Sequence, residues 1–174
     1  MAAIDLIVLG MLKKEALSAY DIQKLVEYRS ISKWVKISTP SIYKKVIQLE
    51  KEKLIKSIVV KEGNMPEKAV YSLTKAGERE FEKLMIDISA EPVLFFLDFN
   101  AVIVNLQNLS REKQKTCLNS IGNGIQKLKA SLKENIAAKE NLPEIPETGM
   151  AVLKQQYALA LAIEKWIASM KADF

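Results

Sequence analysis

The chain of 174 residues contains no histidine and a single cysteine, Cys117. One thiol cannot form an intrachain disulfide, and a chain without histidine cannot build a histidine-based catalytic triad or a soft-metal site by itself. No isolated pair of carboxylates lies in an apolar context, so we expect no catalytic site, no bound metal and no cofactor. Cys117 is interpreted as a small apolar residue on a helix.

Long hydrophobic runs are also missing. The apolar stretches are much shorter than the ~20 residues that span a bilayer, and the N-terminus lacks a basic segment followed by a signal-type apolar core. A chain that forms no disulfide is also typical of a reducing compartment. We therefore expect a cytoplasmic protein with no membrane partner.

Positive charge is unevenly distributed along the chain. The formal net charge is +5, and residues 1–88 hold 16 lysines and arginines against 12 acids, whereas residues 89–174 hold 10 against 9. Residues 33–61 alone hold eight lysines against two glutamates. The first half is therefore the expected polyanion-binding half, although a solvated surface helix is the alternative explanation of such a lysine-rich stretch.

Hydrophobic periodicity predicts three helices followed by a β-hairpin in the first half. The expected helices are 3–13, 19–29 and 38–54, and the expected strands are 55–62 and 68–74. Ser18, Thr39 and Thr74 are the predicted N-caps of the second, third and fourth helices, and Pro40 suits a first helical turn. This order is typical of a winged helix-turn-helix domain, in which the third helix reads DNA and the hairpin is the wing.

The third helix has two contrasting faces. Ile42, Val46 and Leu49 recur at the spacing of a core-facing stripe. The outward face is expected to carry Ser41, Lys44, Lys45 and Gln48, which offer hydroxyl, ammonium and amide groups. Such groups are suited to a DNA major groove, with Gln48 and the lysines at base edges and the hydroxyls of Ser38 and Thr39 near phosphates.

The second half is expected to be helical, after a boundary at 89–92. The predicted helices are 93–109, which is apolar on nearly all sides, 110–140, in which Gly122 and Gly124 would mark a bend, and 147–171. Three helices cannot readily cover this much apolar surface alone, so we expect a homodimer formed through this half. The predicted fold is mainly α, with a winged-helix DNA-binding domain at 1–88 and a helical dimerisation and effector domain at 89–174.

Three segments resemble the PadR-like transcriptional regulators. They are LIVLGMLKKEALSAYDIQKLV, PSIYKKVIQLEKEKLI and KAVYSLTKAGEREFEKL, each in the order and spacing of that family's winged-helix domain. The apolar segment starting near Pro92 and the pattern Glu164, Trp166, Ile167 look like the longer subfamily with a separate helical domain. The chain differs from the family pattern where Ala19 and Lys53 replace frequent glycines and where Met65 replaces an arginine in the wing.

The resemblance implies a dimeric DNA-binding repressor, or an activator, of adjacent operons, released by a small aromatic or hydrophobic effector. It also implies that the Tyr43 hydroxyl contacts the DNA backbone, whereas a ring packed between helices is the alternative. Two copies of the third helix roughly 34 Å apart would read an inverted repeat. The candidate DNA-binding residues are Tyr20, Ser38, Thr39, Ser41, Tyr43, Lys44, Lys45, Gln48, Lys61, Asn64 and Lys68.

Several of these residues have simpler interpretations. Tyr20 lies at a helix N-terminus, where partial positive charge favours phosphate, and a ring packed between helices is the alternative. Lys61, Asn64 and Lys68 either follow phosphates or the minor groove, or form a plain solvated loop. The candidate effector residues are Phe95, Phe96, Phe99, Tyr157 and Trp166, for which an ordinary core role is the alternative.

Two functions from different classes remain compatible with the residues. The first is a sequence-specific transcriptional regulator, and the second is a winged-helix adaptor that binds protein and not DNA. An adaptor surface would expose apolar and aromatic anchors and few lysines, so the lysine-rich outward face favours the regulator.

Overall fold

A computed structural model describes residues 2–61, 67–143 and 145–173. The chain divides into two compact units, Met1–Val93 and Leu94–Phe174. The fold is mainly helical with one small antiparallel sheet, as predicted. The predicted division between residues 88 and 89 lies inside a helix that continues to Ala90.

The first unit has the element order of a winged helix. Its elements are α1 (Ala2–Leu12), β1 (Leu17–Ser18), α2 (Ala19–Tyr28), a 3-10 turn (Ile31–Lys33), α3 (Ser41–Lys51), β2 (Ile55–Val60), β3 (Lys68–Leu73) and α4 (Lys75–Ala90). The strands form an antiparallel sheet in the order β1-β3-β2. The wing hairpin pairs Ile55 with Leu73 and Val60 with Lys68.

The core of this unit is built from one apolar face of each helix. In α3 the predicted stripe of Ile42, Val46 and Leu49 is fully buried. It packs with the apolar helix α1 and with Ile22 and Val26 of α2. Burial of these aliphatic side chains holds α3 firmly on its inner side and leaves its other side to the solvent.

Two of the three predicted N-caps are confirmed. The Ser18 hydroxyl accepts a hydrogen bond from the Asp21 backbone N–H at 3.2 Å, and the Ser18 N–H donates to the Asp21 carboxylate at 3.1 Å, which completes a capping box. The Thr74 hydroxyl accepts from the Gly77 N–H at 3.1 Å. Both caps satisfy donors that the first turn of a helix leaves unpaired.

The predicted Thr39 cap is wrong. Pro40 occupies the N-cap position of α3 and has no side chain that can cap. The N–H groups of Ser41 and Ile42 donate instead to the backbone carbonyls of Ser38 and Thr39, at 3.0 and 3.2 Å. This tight backbone turn satisfies the first donors, so the Thr39 hydroxyl is not needed for capping.

The second unit contains a short helical segment and two long helices. Its elements are α5 (Asn100–Val104), a 3-10 turn (Leu106–Asn108), α6 (Arg111–Lys139) and α7 (Glu147–Asp173). α6 and α7 pack as an antiparallel pair, because Lys129 forms an ion pair with Glu164 and Glu140 forms one with Lys154. The buried residues between them include Leu118 and Ile167, with Cys117 half-buried beside them.

The predicted continuous helix 93–109 is wrong. Residues 92–97 have no regular structure, and only α5 and the following 3-10 turn are helical. The Asn105 amide donates to the Ala101 carbonyl at 2.8 Å, a side-chain bond that competes with continuation of the helix. Val93 to Phe96 are largely exposed on the single chain. A helix that is apolar on all sides must be packed against other residues on all sides, and these four residues are not.

Both glycines of α6 lie within an uninterrupted helix. Gly122 is buried against α7, where an added Cβ would lie 3.0 Å from Lys171 Nζ and 3.5 Å from Ile167 Cγ2. Gly122 therefore permits a close approach of the two helices, whereas an added Cβ at Gly124 would meet open space. Across the described residues, no helix is both long and apolar enough to traverse a membrane.

Candidate nucleic-acid interface

The exposed face of α3 is the centre of the candidate interface. It is formed by the five exposed residues Tyr43, Lys44, Ile47, Gln48 and Lys51. They recur at spacings of three and four, so they form one continuous surface opposite the buried stripe. Two ammonium groups, an amide, a phenol and an aliphatic side chain can therefore meet one partner together.

The predicted outward position of Lys45 is wrong. Lys45 is 8% exposed, and its Nζ lies 2.6 Å from Oδ1 of Asp5 on α1. The reason lies in the helical spacing, because Lys45 follows Ile42 by three residues and precedes Leu49 by four and so flanks the buried stripe. Its long aliphatic stem crosses the apolar surface and its charge is neutralised by Asp5, so Lys45 does not offer a free cation to DNA.

A chemical signal for this ion pair is present in the sequence. Asp5 is the only charged residue among the eleven residues of α1, which is otherwise almost entirely apolar. A carboxylate in such a helix requires a cationic partner when the helix is buried. The sequence does not identify that cation, because Lys45 lies on α3, forty residues from Asp5.

The residues before α3 have mixed environments. Ser38 is exposed, whereas Thr39 and Ser41 are half-buried. The Ser41 hydroxyl donates to the Ser38 carbonyl within the turn. The structure thus groups these predicted residues at the start of α3, where the helix dipole favours anions.

A cleft of about 280 Å³ lies beside the exposed face of α3. It brings together three predicted residues, Tyr20, Tyr43 and Lys68, from α2, α3 and β3. Its lining is completed by Ser18, Ala19, Val46, Ile47, Ala69 and Tyr71. Tyr20 also lies below Lys24, whose Nζ is 5.4 Å from the ring centroid.

Two groups in or next to this cleft have shifted pKa values: Tyr71 lines it, and Asp21 is hydrogen-bonded to Ser18, which also lines it. The hydrogen bond from the Ser18 hydroxyl lowers the pKa of Asp21 below its ordinary value, and the nearby Lys68 ammonium adds to the effect. Burial raises the pKa of the Tyr71 phenol, and the Glu50 carboxylate adds to that rise. The cleft therefore presents hydroxyl donors beside the Lys68 side chain, a combination suited to a phosphate oxygen.

The wing residues are only partly described. Lys61 follows β2 and is exposed, and Lys68 begins β3 and is exposed. Asn64 lies outside the described residues. The two lysines therefore stand on the opposite sides of the hairpin tip, at the end of the β2-β3 ladder.

Ile47, Lys51 and Tyr71 were not among the predicted site residues. Ile47 is 64% exposed at the middle of the face, although an aliphatic residue in a helix ordinarily suggests core. Ile47 follows Lys44 by three residues and Tyr43 by four, and this spacing is the sequence signal that places it on the same face. Tyr71 was expected only as one residue of an alternating strand.

The predicted effector residues are not gathered into one cluster. Phe99 and Trp166 stack, with ring centroids 6.1 Å apart and an interplanar angle of 25°. Tyr157 is half-buried on α7, whereas Phe95 and Phe96 are 66% and 84% exposed in the irregular segment. One aromatic pair in the second unit is thus established, and the remaining three residues are not shown to join it.

The first unit defines a winged helix-turn-helix protein by its element order, its hairpin and the exposed third helix. Residues 8–83 match the model of the PadR-like family of transcriptional regulators. The winged-helix region of the chain is therefore assigned to the PadR-like transcriptional regulator family. This is a family of regulators and not of enzymes.

Solved structures similar to the whole chain support the fold. Bacillus subtilis PadR in complex with operator DNA has a TM-score of 0.84 at 20% identity, with 98% of each chain covered. The same protein in complex with p-coumaric acid has a TM-score of 0.83 at 21% identity, covering 97% of this chain and 96% of that one. A PadR-like regulator of Bacillus cereus has a TM-score of 0.73 at 22% identity, with coverages of 98% and 96%. No curated protein sequence matched the chain.

Proposed function

We propose that the protein is a sequence-specific DNA-binding transcriptional regulator of the cytoplasm. It acts as a homodimer on an inverted-repeat operator and represses transcription until a small aromatic or hydrophobic effector releases it. The exposed face of α3 is the observation that carries this proposal. That face begins at a defined helix start and combines groups that bind phosphates with groups that distinguish base edges.

The residues of the interface divide by chemistry. Lys44 and Lys51 supply charge, Gln48 supplies an amide for a base edge, and Ile47 supplies an aliphatic surface suited to a thymine methyl group. Tyr20, Tyr43 and Lys68 line the adjacent cleft, where two phenols and an ammonium contact one strand's phosphates. Ser38, Thr39 and Ser41 contribute hydroxyls at the start of α3, and Lys61 and Asn64 extend the contacts along the wing.

The homodimer is supported by the apolar surface of the single chain. Val93, Leu94, Phe95 and Phe96 are consecutive and largely exposed. A contiguous apolar patch of this kind is typical of a protein-protein interface. We propose that a second copy of the chain covers it, so that two α3 helices meet one duplex.

The effector proposal depends on the aromatic residues of the second unit and on a relative. Bacillus subtilis PadR, which shares the fold, has been solved with p-coumaric acid. The stacked pair Phe99 and Trp166 is the best supported part of such a site here, because a planar ligand binds to aromatic faces. Phe95, Phe96 and Tyr157 would join it once the dimer has formed.

Lys44→Ala tests the DNA-binding face. Binding sites are first selected from random DNA, and affinity is then measured by fluorescence anisotropy between 50 and 200 mM salt. If about six to ten phosphates are neutralised per dimer, the wild-type affinity falls by roughly three to five orders of magnitude over this range. Loss of one lysine per protomer should reduce the affinity and lower the salt slope by about 1 for each lysine removed.

Lys127→Ala is the matched control, because Lys127 is an exposed lysine on α6 in the other unit. It should leave both affinity and salt slope unchanged. Equal behaviour of the two variants would remove the α3 face from the interface. Failure of the wild type to retain any DNA fragment, combined with capture of one protein partner through this face, would favour the adaptor.

A further inference from the structure

Ile47 is an aliphatic residue at the centre of an otherwise polar surface. Its side chain is 64% exposed, and it is surrounded on α3 by the exposed residues Tyr43, Lys44, Gln48 and Lys51. A single aliphatic side chain among ammonium groups is a poor docking site for a protein, because protein interfaces use contiguous apolar patches and few lysines. The face instead suits a partner that presents a small apolar group within an anionic surface.

The major groove of DNA offers one apolar group of that size. It is the methyl group at C5 of thymine, which lies among hydrogen-bonding base edges and between two rows of phosphates. The C5 edge of a pyrimidine is also the part of the base that lies nearest to the backbone of its own strand.

Ile47 lies between the protein groups that correspond to these two parts of the duplex. Gln48, its neighbour in sequence, is the candidate for contact with base edges. The adjoining cleft, which Ile47 also lines together with Tyr43, is the candidate for contact with phosphates. An aliphatic side chain between a base-edge contact and a phosphate contact can meet the C5 position of a pyrimidine.

We propose that Ile47 reads the C5 methyl group of one pyrimidine in each half-site, whether that pyrimidine is thymine or 5-methylcytosine. The inference rests on the proposed DNA-binding function and adds a consequence to it. An aliphatic side chain detects the methyl group itself and not the hydrogen-bonding groups at C4, which differ between the two bases. Methylation of a cytosine at this position therefore strengthens binding, so the protein responds to a chemical modification of its operator.

The size of the effect follows from the burial of one methyl group. Loss of one such group from an apolar contact lowers the affinity by about fourfold. An inverted repeat provides one contact in each half-site, so loss of both methyl groups lowers the affinity by about fifteenfold. No charge is involved, and the salt slope should therefore not change, in contrast to the loss of Lys44.

Pairs of DNA duplexes that differ by one methyl group in each half-site test the proposal. The operator is first selected from random DNA with the wild type. Each symmetry-related pair of thymines is then replaced by deoxyuridine, which lacks only the methyl group. At one position, fluorescence anisotropy should show the full loss of affinity with the wild type and no loss with Ile47→Ala.

The same position is then tested with cytosine and with 5-methylcytosine. These two bases present the same hydrogen-bonding groups, so any difference in affinity between the two duplexes comes from the methyl group. The wild type should favour the methylated duplex by the same factor by which it favours thymine over deoxyuridine. Ile47→Ala should bind the two duplexes equally.

Ile86→Ala is the matched control, because Ile86 is an isoleucine on α4 with 69% of its surface exposed. It should keep the wild-type dependence on the methyl group. Ile47→Val retains a branched aliphatic side chain and should keep most of that dependence. Both positions are exposed, so the substitutions open no cavity, and a thermal melt of each variant verifies that it is folded.

The outcomes distinguish this inference from the proposed function. The inference is wrong, while DNA binding stands, if the wild type binds every deoxyuridine duplex as tightly as the selected operator or does not distinguish 5-methylcytosine from cytosine. Equal losses in the wild type and in Ile47→Ala would also overturn it, because another residue would then read the methyl group. Failure of the wild type to select any motif from random DNA would instead overturn the proposed function.

Discussion

At the scale of single residues, Lys53 has an unfavourable backbone conformation. Its φ of 59° lies in the left-handed region, just after the C-cap of α3. A side chain there costs roughly 1–2 kcal/mol, while glycine adopts the conformation freely but loses more entropy on folding. The family frequently has glycine at this position, so the sequence difference noted above has a structural consequence.

We expect Lys53→Gly to stabilise the winged-helix unit by about 0.5–1 kcal/mol, because the relief of strain exceeds the entropy cost. Urea denaturation measures the change in the free energy of unfolding. Lys51→Gly is the matched control, since Lys51 is an exposed lysine within the last turn of α3. That control should lose about 1 kcal/mol, and a similar loss in both variants would contradict the prediction.

Asp21 predicts a dependence of stability on pH. Its carboxyl pKa is lowered from 3.8 in the folded protein, first by the Ser18 hydroxyl hydrogen bond. A lowered folded pKa means that the carboxylate's contribution is fully present above the unfolded value and is lost as the pH falls through the folded value. The contribution of Asp21 to the free energy of unfolding should therefore not change with pH near neutrality. It should decline below about pH 4.

Asp21→Asn should remove this decline and destabilise the protein by about 1 kcal/mol at neutral pH, because the charged half of the capping box is lost. Denaturation curves of the two proteins between pH 3 and 7 measure both effects. Glu27→Gln is the control, since the pKa of Glu27 is also lowered but its carboxylate is exposed and screened by solvent. If the free energy of unfolding of Asp21→Asn falls at low pH as steeply as that of the wild type, the capping box is not the source of the decline.

At the scale of elements, Gly77 in the first turn of α4 packs against the backbone of Leu54, immediately before β2. An added Cβ at this position would lie 2.0 Å from the backbone oxygen of Leu54, which also accepts a hydrogen bond from the Thr74 N–H at 3.1 Å. The Gly77 Cα and the Leu54 oxygen cannot move apart without breaking the Thr74 cap or the start of β2. We expect Gly77→Ala to destabilise the first unit by about 3 kcal/mol or more, by overpacking.

Gly124→Ala is the matched substitution in α6, because an added Cβ there meets open space. It should stabilise the second unit by about 0.5–1 kcal/mol through helix propensity. Thermal melting of both variants, followed by circular dichroism, separates the two effects. The melting temperature should fall for Gly77→Ala and rise for Gly124→Ala. A rise in both would show that the backbone around Gly77 can relax.

The elements that sequence reasoning predicted well have a single apolar stripe or a chemically defined cap. α2, α3, α4 and the wing hairpin follow from such patterns, because burial of one face is a local property of spacing. The segment 93–109 could not be predicted in this way, since a pattern that is apolar on all sides does not indicate which residues pack against it. The ion pair of Lys45 could not be predicted either, because its partner Asp5 lies on another helix, forty residues away in sequence.

At the scale of the whole molecule, the proposed dimer would determine how strongly DNA binding depends on salt. Two protomers neutralise about twice as many phosphates as one, so the slope of log affinity against log salt should be about twice as steep for the dimer. The exposed phenylalanines Phe95 and Phe96 provide the means to test this. Phe95→Ser with Phe96→Ser removes apolar area from the proposed interface while leaving α3 unchanged.

We expect this double variant to sediment as a monomer and to bind a single half-site with about half the wild-type salt slope, because each α3 still reads its own half-site. Tyr28→Ser is the control, since Tyr28 is another exposed aromatic residue, located at the end of α2. That variant should remain a dimer with the full slope. A dimeric Phe95/Phe96 variant would place the subunit interface elsewhere, whereas a monomer with an undiminished slope would mean that one protomer alone makes all the phosphate contacts.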